Sequence, residues 1–424
     1  KETTGKTEIL VCKRMKVRYE GIPEVSDDPM MVVNKYGKGT SIYLAGSFGK
    51  TIANFRFIEY FTILKNICDW LSSQYVFVED NKNVEIFLRK YFKPGMTVLD
   101  PFAGSGTTLV QANELGINSI GYDISAFNVL LMRAKTQKYD IDLVEREILD
   151  ILNKVDSIAN KNQSVMANLF PDTANDVIIT DDNEYLKLWF APQARKELLI
   201  YRELIKNYQN QDILKVILSR SARSARLTTH YDLDFPKEPQ IGPYWCHKHR
   251  RTCTPTTTAY QFLRQYSLDT IKRLKEFASC RTDATVEIIH GDSQVADIPV
   301  VDGLITSPPY VGLIDYHDQH RYAYELLGLE DNSSFEIGAA KEGTSQQAKI
   351  KYQQAIANVF KRCCESIRPG GYLIVIACDK HNLYGKIAEL CGVKEEAILQ
   401  RQVNRRTGRR STDFYESVFI WQRL

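Results

Sequence analysis

Met96-Thr97-Val98-Leu99-Asp100-Pro101-Phe102-Ala103-Gly104-Ser105-Gly106-Thr107-Thr108 runs an apolar stretch straight into a Gly-Ser-Gly bend. The pattern predicts a strand ending at Asp100 and a helix beginning at about Thr108. Glycines at such a bend let the backbone approach a ligand closely, and a helix N-terminus offers free N–H groups. A second strand is expected over Ser119 to Tyr122, ending in Asp123, 23 residues after Asp100. A carboxylate at the tip of the second strand of a βαβ unit is placed to accept from both hydroxyls of a ribose. The phosphate-cradling G-x-x-x-x-G-K-[ST] pattern is absent, and Asp100 at the strand end would repel phosphate. A nucleoside without phosphates, such as S-adenosylmethionine, fits better.

Some 200 residues downstream, Thr306-Ser307-Pro308-Pro309-Tyr310 follows a buried-looking strand, Val301 to Ile305. A polar residue before two prolines gives a rigid turn whose side-chain oxygen and backbone carbonyl can both accept from a planar NH2 group. Proline fixes φ and brings no N–H to compete. The Tyr310 ring can stack on a base taken out of its duplex. Alone, the motif is equally a Pro-Pro turn closing a strand; the Gly-rich turn upstream gives it meaning.

Together, the Asp-Pro-Phe-Ala-Gly-Ser-Gly-Thr-Thr turn, Asp123 and Thr-Ser-Pro-Pro-Tyr resemble the amino-methylating DNA methyltransferases of restriction-modification systems. The Ser-Pro-Pro-Tyr form is similar to the N4-cytosine branch; adenine-N6 enzymes more often carry Asp or Asn before Pro-Pro. The likeness covers roughly residues 92–145 and 285–424. It implies a Rossmann-like class I methyltransferase, α/β, with a mostly parallel seven-stranded sheet, an antiparallel edge and a largely helical insert. It implies S-adenosylmethionine as cofactor, held by Asp100, Phe102, Ala103, Gly104, Ser105, Gly106, Thr107, Thr108, Asp123 and Ile124. Asp292, in His290-Gly291-Asp292-Ser293 after a third strand, resembles the family acid that accepts from the cofactor's adenine amino group. Ser307, Pro308, Pro309 and Tyr310 would form the catalytic turn. The expected substrate is cytosine N4 in double-stranded DNA, flipped into the site, with a separately encoded restriction endonuclease as partner. The methionine-contacting segment usual upstream of the Gly turn is not recognisable. Adenine-N6 methylation, RNA amino-methylation and an inactive DNA-binding subunit are the rival readings. Cytosine-C5 chemistry would need a nucleophilic Cys, usually in a Pro-Cys pair, and the chain has no such pair.

At 424 residues the chain can hold two or three domains. Hydrophobic residues make up 44% and charged residues 25%, with no apolar run long enough for a membrane span. Lys1 to Lys6 is polar with no secretory core, and it lacks an initiator Met, as expected of a processed or trimmed chain. Nine scattered cysteines without framework spacing suit a reduced, cytoplasmic compartment. Net charge is only +3, so any nucleic-acid surface must be a local patch.

Four segments are expected: an N-terminal α/β region over 1–90, a cofactor-binding half over 91–182, a helical insert for target recognition over 183–282, and a catalytic half over 283–424. In the first, Met30–Val33 and Thr40–Ala45 suggest a hairpin, Phe55–Leu71 a helix, and Tyr75–Val78 and Val84–Leu88 strands. Its Gly-Lys-Gly-Thr-Ser-Ile-Tyr-Leu-Ala-Gly stretch resembles the end of an amidotransferase-like domain and equally suits a cap beside the cofactor. Helices are expected over Leu143–Ile158, Pro192–Tyr208, Ile213–Arg226, Thr257–Phe277 and Ala348–Ser366. Strands are expected over Thr285–Ile289 and Tyr372–Ala377, with an antiparallel pair over Ile398–Asn404 and Tyr415–Trp421.

Within the insert, basic residues outnumber acidic ones roughly two to one. Arg220, Arg223 and Arg226 share one helical stripe, and Lys248, Arg250 and Arg251 cluster with His247 and His249 beside Tyr244 and Trp245. Basic side chains interleaved with aromatics suit phosphate contact with base stacking, and a solvated face explains each cluster singly. Arg405, Arg406, Arg409 and Arg410 crowd one turn between strands and are expected to clamp DNA. Asp315, His317 and His320 open a helix beside the catalytic turn, where they either cap and pack it or touch the flipped base. Cys246, His249 and Cys253 have zinc-ligand chemistry, but a structural site takes four ligands and only Cys280 or His247 stands near as a fourth. Packing in a small lobe, with no metal, is the expectation.

Overall fold

The computed structural model describes residues 83–160, 183–230, 238–403 and 414–424, together with five strands among residues 7–44. The expected helix Phe55–Leu71, the strand Tyr75–Val78 and the basic turn of Arg405, Arg406, Arg409 and Arg410 lie outside the described residues. The chain divides into two compact units, 1–86 and 87–424.

In the first unit, β1 (Thr7–Val11), β4 (Met31–Tyr36) and β5 (Gly39–Leu44) form an antiparallel sheet in the order β1-β4-β5. The pairing of β4 with β5, Tyr36 opposite Gly39, is the hairpin expected from the sequence. β2 (Arg14–Lys16) and β3 (Glu24–Ser26) pair separately. Val84–Leu88, expected as a strand, lies instead in helix α1 (Asn83–Tyr91). Val84, Phe87, Leu88 and Tyr91 recur at helical spacing, and that period outweighs the short apolar run.

The second unit is built on a seven-stranded sheet. Its strands are β6 (Thr97–Asp100), β7 (Asn118–Asp123), β10 (Val286–His290), β11 (Val301–Thr306), β12 (Ile367–Ala377), β13 (Val393–Val403) and β14 (Phe414–Arg423). Their spatial order is β10-β7-β6-β11-β12-β14-β13. The first five run parallel; β14 is antiparallel to both β12 and β13. This is the class I methyltransferase sheet with its antiparallel edge. The winding runs outward from β6 through β7 to β10, then restarts at β11 and runs the other way. Ligands of such sheets bind at the strand C-termini where the order reverses, here above β6 and β11.

Both faces of the sheet are covered, which is why the central strands read as continuous apolar runs. On one face, α11 (Gln346–Ser366) and α12 (Tyr384–Cys391) pack Phe360 and Tyr384 against Leu304, Leu373, Phe419 and Trp421. Near the Gly turn, Leu109 of α2 (Thr107–Glu114) and Met132 of α3 (Ala126–Thr136) close a smaller core. The residues expected as a separate insert do not close on themselves. Leu198 of α6 (Pro192–Leu204), Ile217 of α7 (Gln211–Ala225) and Leu263 of α8 (Tyr260–Cys280) share one core with Phe127 of α3 and Ile148 of α4 (Ile141–Asn160).

Two contacts set the height of the switch point. Gly303 lies where a Cβ would stand 2.6 Å from the Tyr372 carbonyl and 2.7 Å from the Phe92 ring. At the ends of β6 and β11, Thr306 Oγ1 donates to Asp100 Oδ1 at 2.6 Å, joining residues 206 apart in sequence. The Phe102 N–H donates to the same oxygen at 3.2 Å. Asp100 is 4% exposed, and burial pushes its carboxyl up to about 6 despite hydrogen bonds from Thr306, Thr108 and Phe102.

Two outcomes follow. Gly303→Ala should cost about 1–3 kcal/mol as overpacking, measured by denaturant unfolding. For Asp100 the folded value lies above the unfolded one, so its proton favours the folded state. Its contribution is complete below about pH 4 and is lost as pH rises through about 6, on the order of 3 kcal/mol. Asp100→Asn keeps an oxygen for Thr306 and Phe102, so unfolding measured from pH 4 to 7 should lose this component. An unchanged pH profile in the variant would show that Asp100 does not carry it.

Candidate active site

A cleft opens at the C-terminal ends of β6, β7, β10 and β11. Phe102 and Gly104 from the Gly turn, Asp123, Ile124 and Asn128 after β7, and Asp292 after β10 line one side. Ser307 and Pro309 line the other, with Tyr316 and His317 of α9 (Tyr316–Gln319) and the loop residues Phe335, Glu336 and Ile337. The two motifs, distant in sequence, face one cleft.

One of its acids, Asp123, is held by several donors. Oδ2 accepts from the Gly104 N–H at 2.8 Å and Oδ1 from the Ser125 N–H at 2.8 Å, while the Asn128 amide reaches both oxygens at 3.2 Å. Burial nevertheless pushes its carboxyl up, outweighing these donors and the nearby His317. A carboxylate so short of solvation is fitted to take further hydroxyl donors, as a ribose diol would offer. Opposite it, Glu336 accepts from the His317 N–H at 2.8 Å and pairs closely with His317 Nδ1. The other ring nitrogen, Nε2, is buried with no hydrogen-bond partner among the described residues. Such a nitrogen, on a residue that lines a polar cleft, calls for a ligand or a water. The charge, the apolar rings of Phe102 and Phe335, and the orphaned nitrogen therefore fit a charged nucleoside.

Of the residues expected to hold the cofactor, Phe102, Gly104, Asp123, Ile124 and Asp292 line the cleft. The others do not, four of them because they are packed beneath the surface. Asp100, Ala103 and Thr108 are buried beneath it. Gly106 carries φ +80 at the start of α2, where a Cβ would strike Met132 at 2.9 Å, so that glycine serves helix packing. Ser105 and Thr107 are exposed, with the Ser105 carbonyl taken by Lys135 Nζ at 2.6 Å.

The Ser-Pro-Pro-Tyr turn is braced from behind. The Pro309 carbonyl accepts from the Tyr352 hydroxyl at 2.8 Å, which itself lies 2.8 Å from the Tyr384 hydroxyl. Tyr310 lies outside the walls of the cleft, and its hydroxyl donates to Glu416 Oε1 on β14 at 2.7 Å. Burial pushes the Tyr310 phenol well up, the Glu416 carboxylate adds to this, and a hydrogen bond from Ser307 opposes it. Ser307, Tyr310 and Glu416 thus form a chain from the exposed Ser307 into the core. Asn128, Tyr316, Phe335, Glu336 and Ile337, which line the cleft, and Glu416 behind the turn lie outside any motif and are site residues that sequence reasoning missed. His317 is brought to the cleft. His320 is not: Nδ1 faces the Tyr316 carbonyl at 3.0 Å, the ring lies 4.9 Å from Phe127, and burial lowers its value to about 4.

The arginine stripe on α7 is one face, as expected, but one of its members is buried and another is held in an ion pair. Arg226 is 2% exposed and lies over the Tyr322 ring at 4.8 Å. Arg220 pairs with Asp269 at 2.6 Å and covers the Tyr266 ring at 4.4 Å. Arg226 is corrected from a DNA contact to an internal support; Arg220 and Arg223 stay half-exposed. Lys248, Arg250 and Arg251 are exposed on a hairpin of β8 (Tyr244–Cys246) and β9 (Arg251–Cys253). No helix among the described residues is long and apolar enough to cross a membrane.

Comparison with known proteins agrees with this geometry. The profile of a family described as DNA methylase matches residues 81–134. Type II methyltransferase M.MjaII of Methanocaldococcus jannaschii is 36% identical over 406 residues, covering 79% of this chain and 77% of that protein. Type II methyltransferase M.BsoBI of Geobacillus stearothermophilus is 28% identical over 278 residues, covering 61% of this chain and 52% of that protein. Among solved structures, TrmN from Thermus thermophilus aligns with a TM-score of 0.32 at 10% identity, over 81% of this chain and 49% of that one, too slight a likeness to build on. With a relative of that identity and coverage, and two motifs meeting at one switch point, the chain belongs to the amino-methylating Type II DNA methyltransferases of restriction-modification systems, enzymes that use S-adenosylmethionine.

Proposed function

We propose that the chain methylates the exocyclic N4 of cytosine in duplex DNA, after flipping the base out of its stack. The observation that carries this reading is Ser307 before Pro308-Pro309, exposed on the cleft and backed by Tyr310 and Glu416. S-adenosylmethionine, when bound, supplies the electrophilic methyl group. In this reading Asp123 accepts from the ribose hydroxyls and Asp292 from the adenine amino group, while Phe102 and Ile124 flank the nucleoside. His317 Nε2, oriented by Glu336, gives the bound nucleoside a further polar partner.

Cytosine enters on the other side of Ser307, against the Tyr310 ring. Glu416 holds that ring still, so stacking costs it no rotamer freedom. Ser307 donates its hydroxyl hydrogen back to Tyr310, which leaves its lone pairs for an amino hydrogen of the base. The Pro308 carbonyl takes the second. Both contacts strengthen as the nitrogen gains positive charge, so they favour the transition state over the ground state. The braced turn then supplies position: it aims the nitrogen lone pair at the cleft with no groups left to reorganise. Outside the cleft, Lys248, Arg250 and Arg251 meet phosphates.

Nucleoside mass spectrometry of DNA methylated by the enzyme should show N4-methylcytosine; N6-methyladenine instead would overturn the base assignment. Ser307→Ala should lower kcat by roughly 100-fold with DNA affinity nearly unchanged, the pattern of an interaction made mainly in the transition state. Full turnover in that variant would reduce the Pro-Pro motif to a turn.

Arg250→Ala should weaken DNA binding and flatten the plot of log K against log salt by about one unit, as for one lost phosphate contact. Arg226→Ala should leave that slope alone and lower the unfolding midpoint. Equal slopes for Arg250→Ala and the unaltered enzyme would move the DNA surface away from this hairpin.

A further inference from the structure

The β8–β9 hairpin has almost nothing to hold it together. Each strand is three residues long, and the pair joins no other strand among the described residues. Cys246 is the one buried residue between 238 and 258, whereas Trp245 is 58% exposed and His247 through Thr252 all face solvent. A lone two-stranded hairpin is marginal in water at best. Its turn also contains Arg250 at φ +51, a left-handed conformation unfavourable to any residue with a Cβ. A hairpin this short, this polar and this strained needs a cross-link.

The geometry supplies one. Cys246 and Cys253 end the two strands, and His249 sits in the turn between them. His230, from the segment after α7, completes the group. The ligand atoms of His230, Cys246, His249 and Cys253 all lie within 4.8 Å of one another. His249 turns Nδ1 to 3.4 Å from Cys253 Sγ, and its backbone N–H points at Cys246 Sγ at 3.4 Å. The His230 and His249 rings meet edge to face at 4.5 Å. A tetrahedral zinc with bonds of about 2.3 Å to sulfur and 2.0–2.1 Å to nitrogen spaces its ligand atoms by about 3.3–3.8 Å, so one modest contraction closes the shell. Of the two fourth ligands open to sequence reasoning, His247 is not in this group, and Cys280 instead hydrogen-bonds to Glu114 and its own helix.

We propose that His230, Cys246, His249 and Cys253 bind a structural zinc ion that fastens the basic hairpin to the segment following α7. Two thiolates and two neutral imidazoles suit a d10 ion with no geometric demand of its own, and four protein ligands leave no open position for catalysis. Binding releases the two thiol protons to solvent. The proposed site departs from the expectation of no metal: its fourth ligand lies 16 residues before Cys246, outside any recognised spacing.

The test is metal stoichiometry of the full chain, purified without chelator and then titrated with zinc alone. About one zinc per chain is expected by elemental analysis. Cobalt(II) in its place should give thiolate charge-transfer and tetrahedral d–d absorption. Cys246→Ser and His230→Ala should each bring zinc to background, while Cys280→Ser keeps it. S-adenosylmethionine binding, measured by calorimetry, should persist in all three and report that the sheet is folded. Zinc at background in the unaltered, zinc-supplemented chain overturns the proposal, as does full zinc in both Cys246→Ser and His230→Ala.

Discussion

The hydrogen bond from Thr306 to the Asp100 carboxyl is the joint on which the site depends. It ties the ends of β6 and β11, neighbouring strands at the point where the sheet's winding reverses. The Gly turn rises from one strand and the Pro-Pro turn from the other, so their separation is set where Thr306 meets Asp100. The joint is costly. Burial raises this carboxyl to about 6, and it is tolerated because three donors converge on it. Removing a donor would leave a buried acid short of partners, a larger penalty than the net worth of one hydrogen bond.

Above that joint, the site is organised by three more carboxylates, each held by donors from elsewhere in the chain. Asp123 gathers Gly104, Ser125 and Asn128, so the Gly turn is pinned to the end of β7. Glu336 gathers Tyr316 and His317 and fixes the loop to α9. Glu416 takes the Tyr310 hydroxyl and so ties the catalytic turn to β14. Each spends its charge on holding a neighbour in place. Their sum is also suited to the cofactor, whose sulfonium is positive: a cleft walled by Asp123 and Glu336 favours that charge in a region where water is scarce.

What could be read from the sequence was local or periodic. The strand-to-glycine run, Asp123 at the next strand end, and Ser307-Pro308-Pro309 each encode their own backbone, and the long helices and terminal strand pair show their period directly. What could not be read depended on partners far away. The spacing of Arg220, Arg223 and Arg226 defines a face of α7, but Asp269, Tyr266 and Tyr322, which occupy that face, come from other elements. Glu336 and Glu416 have no motif around them; only the fold carries them to the cleft. Val84–Leu88 failed for a different reason, since five apolar-rich residues satisfy either period until Tyr91 is counted.

Arg226, turned inward, and Arg220, paired with Asp269, also bear on where DNA can be gripped. Net charge is only +3, and Lys248, Arg250 and Arg251 form an exposed basic cluster on one hairpin beside Trp245. Three cations on an otherwise coreless hairpin would bind weakly if the hairpin had to be ordered at each encounter, since immobilising chain and side chains opposes association. A hairpin already locked at both strand ends presents the same charges without that cost. In the proposed arrangement, recognition by this hairpin therefore rests less on the number of its charges than on their rigidity. That rigidity would come from the four side chains that hold the zinc.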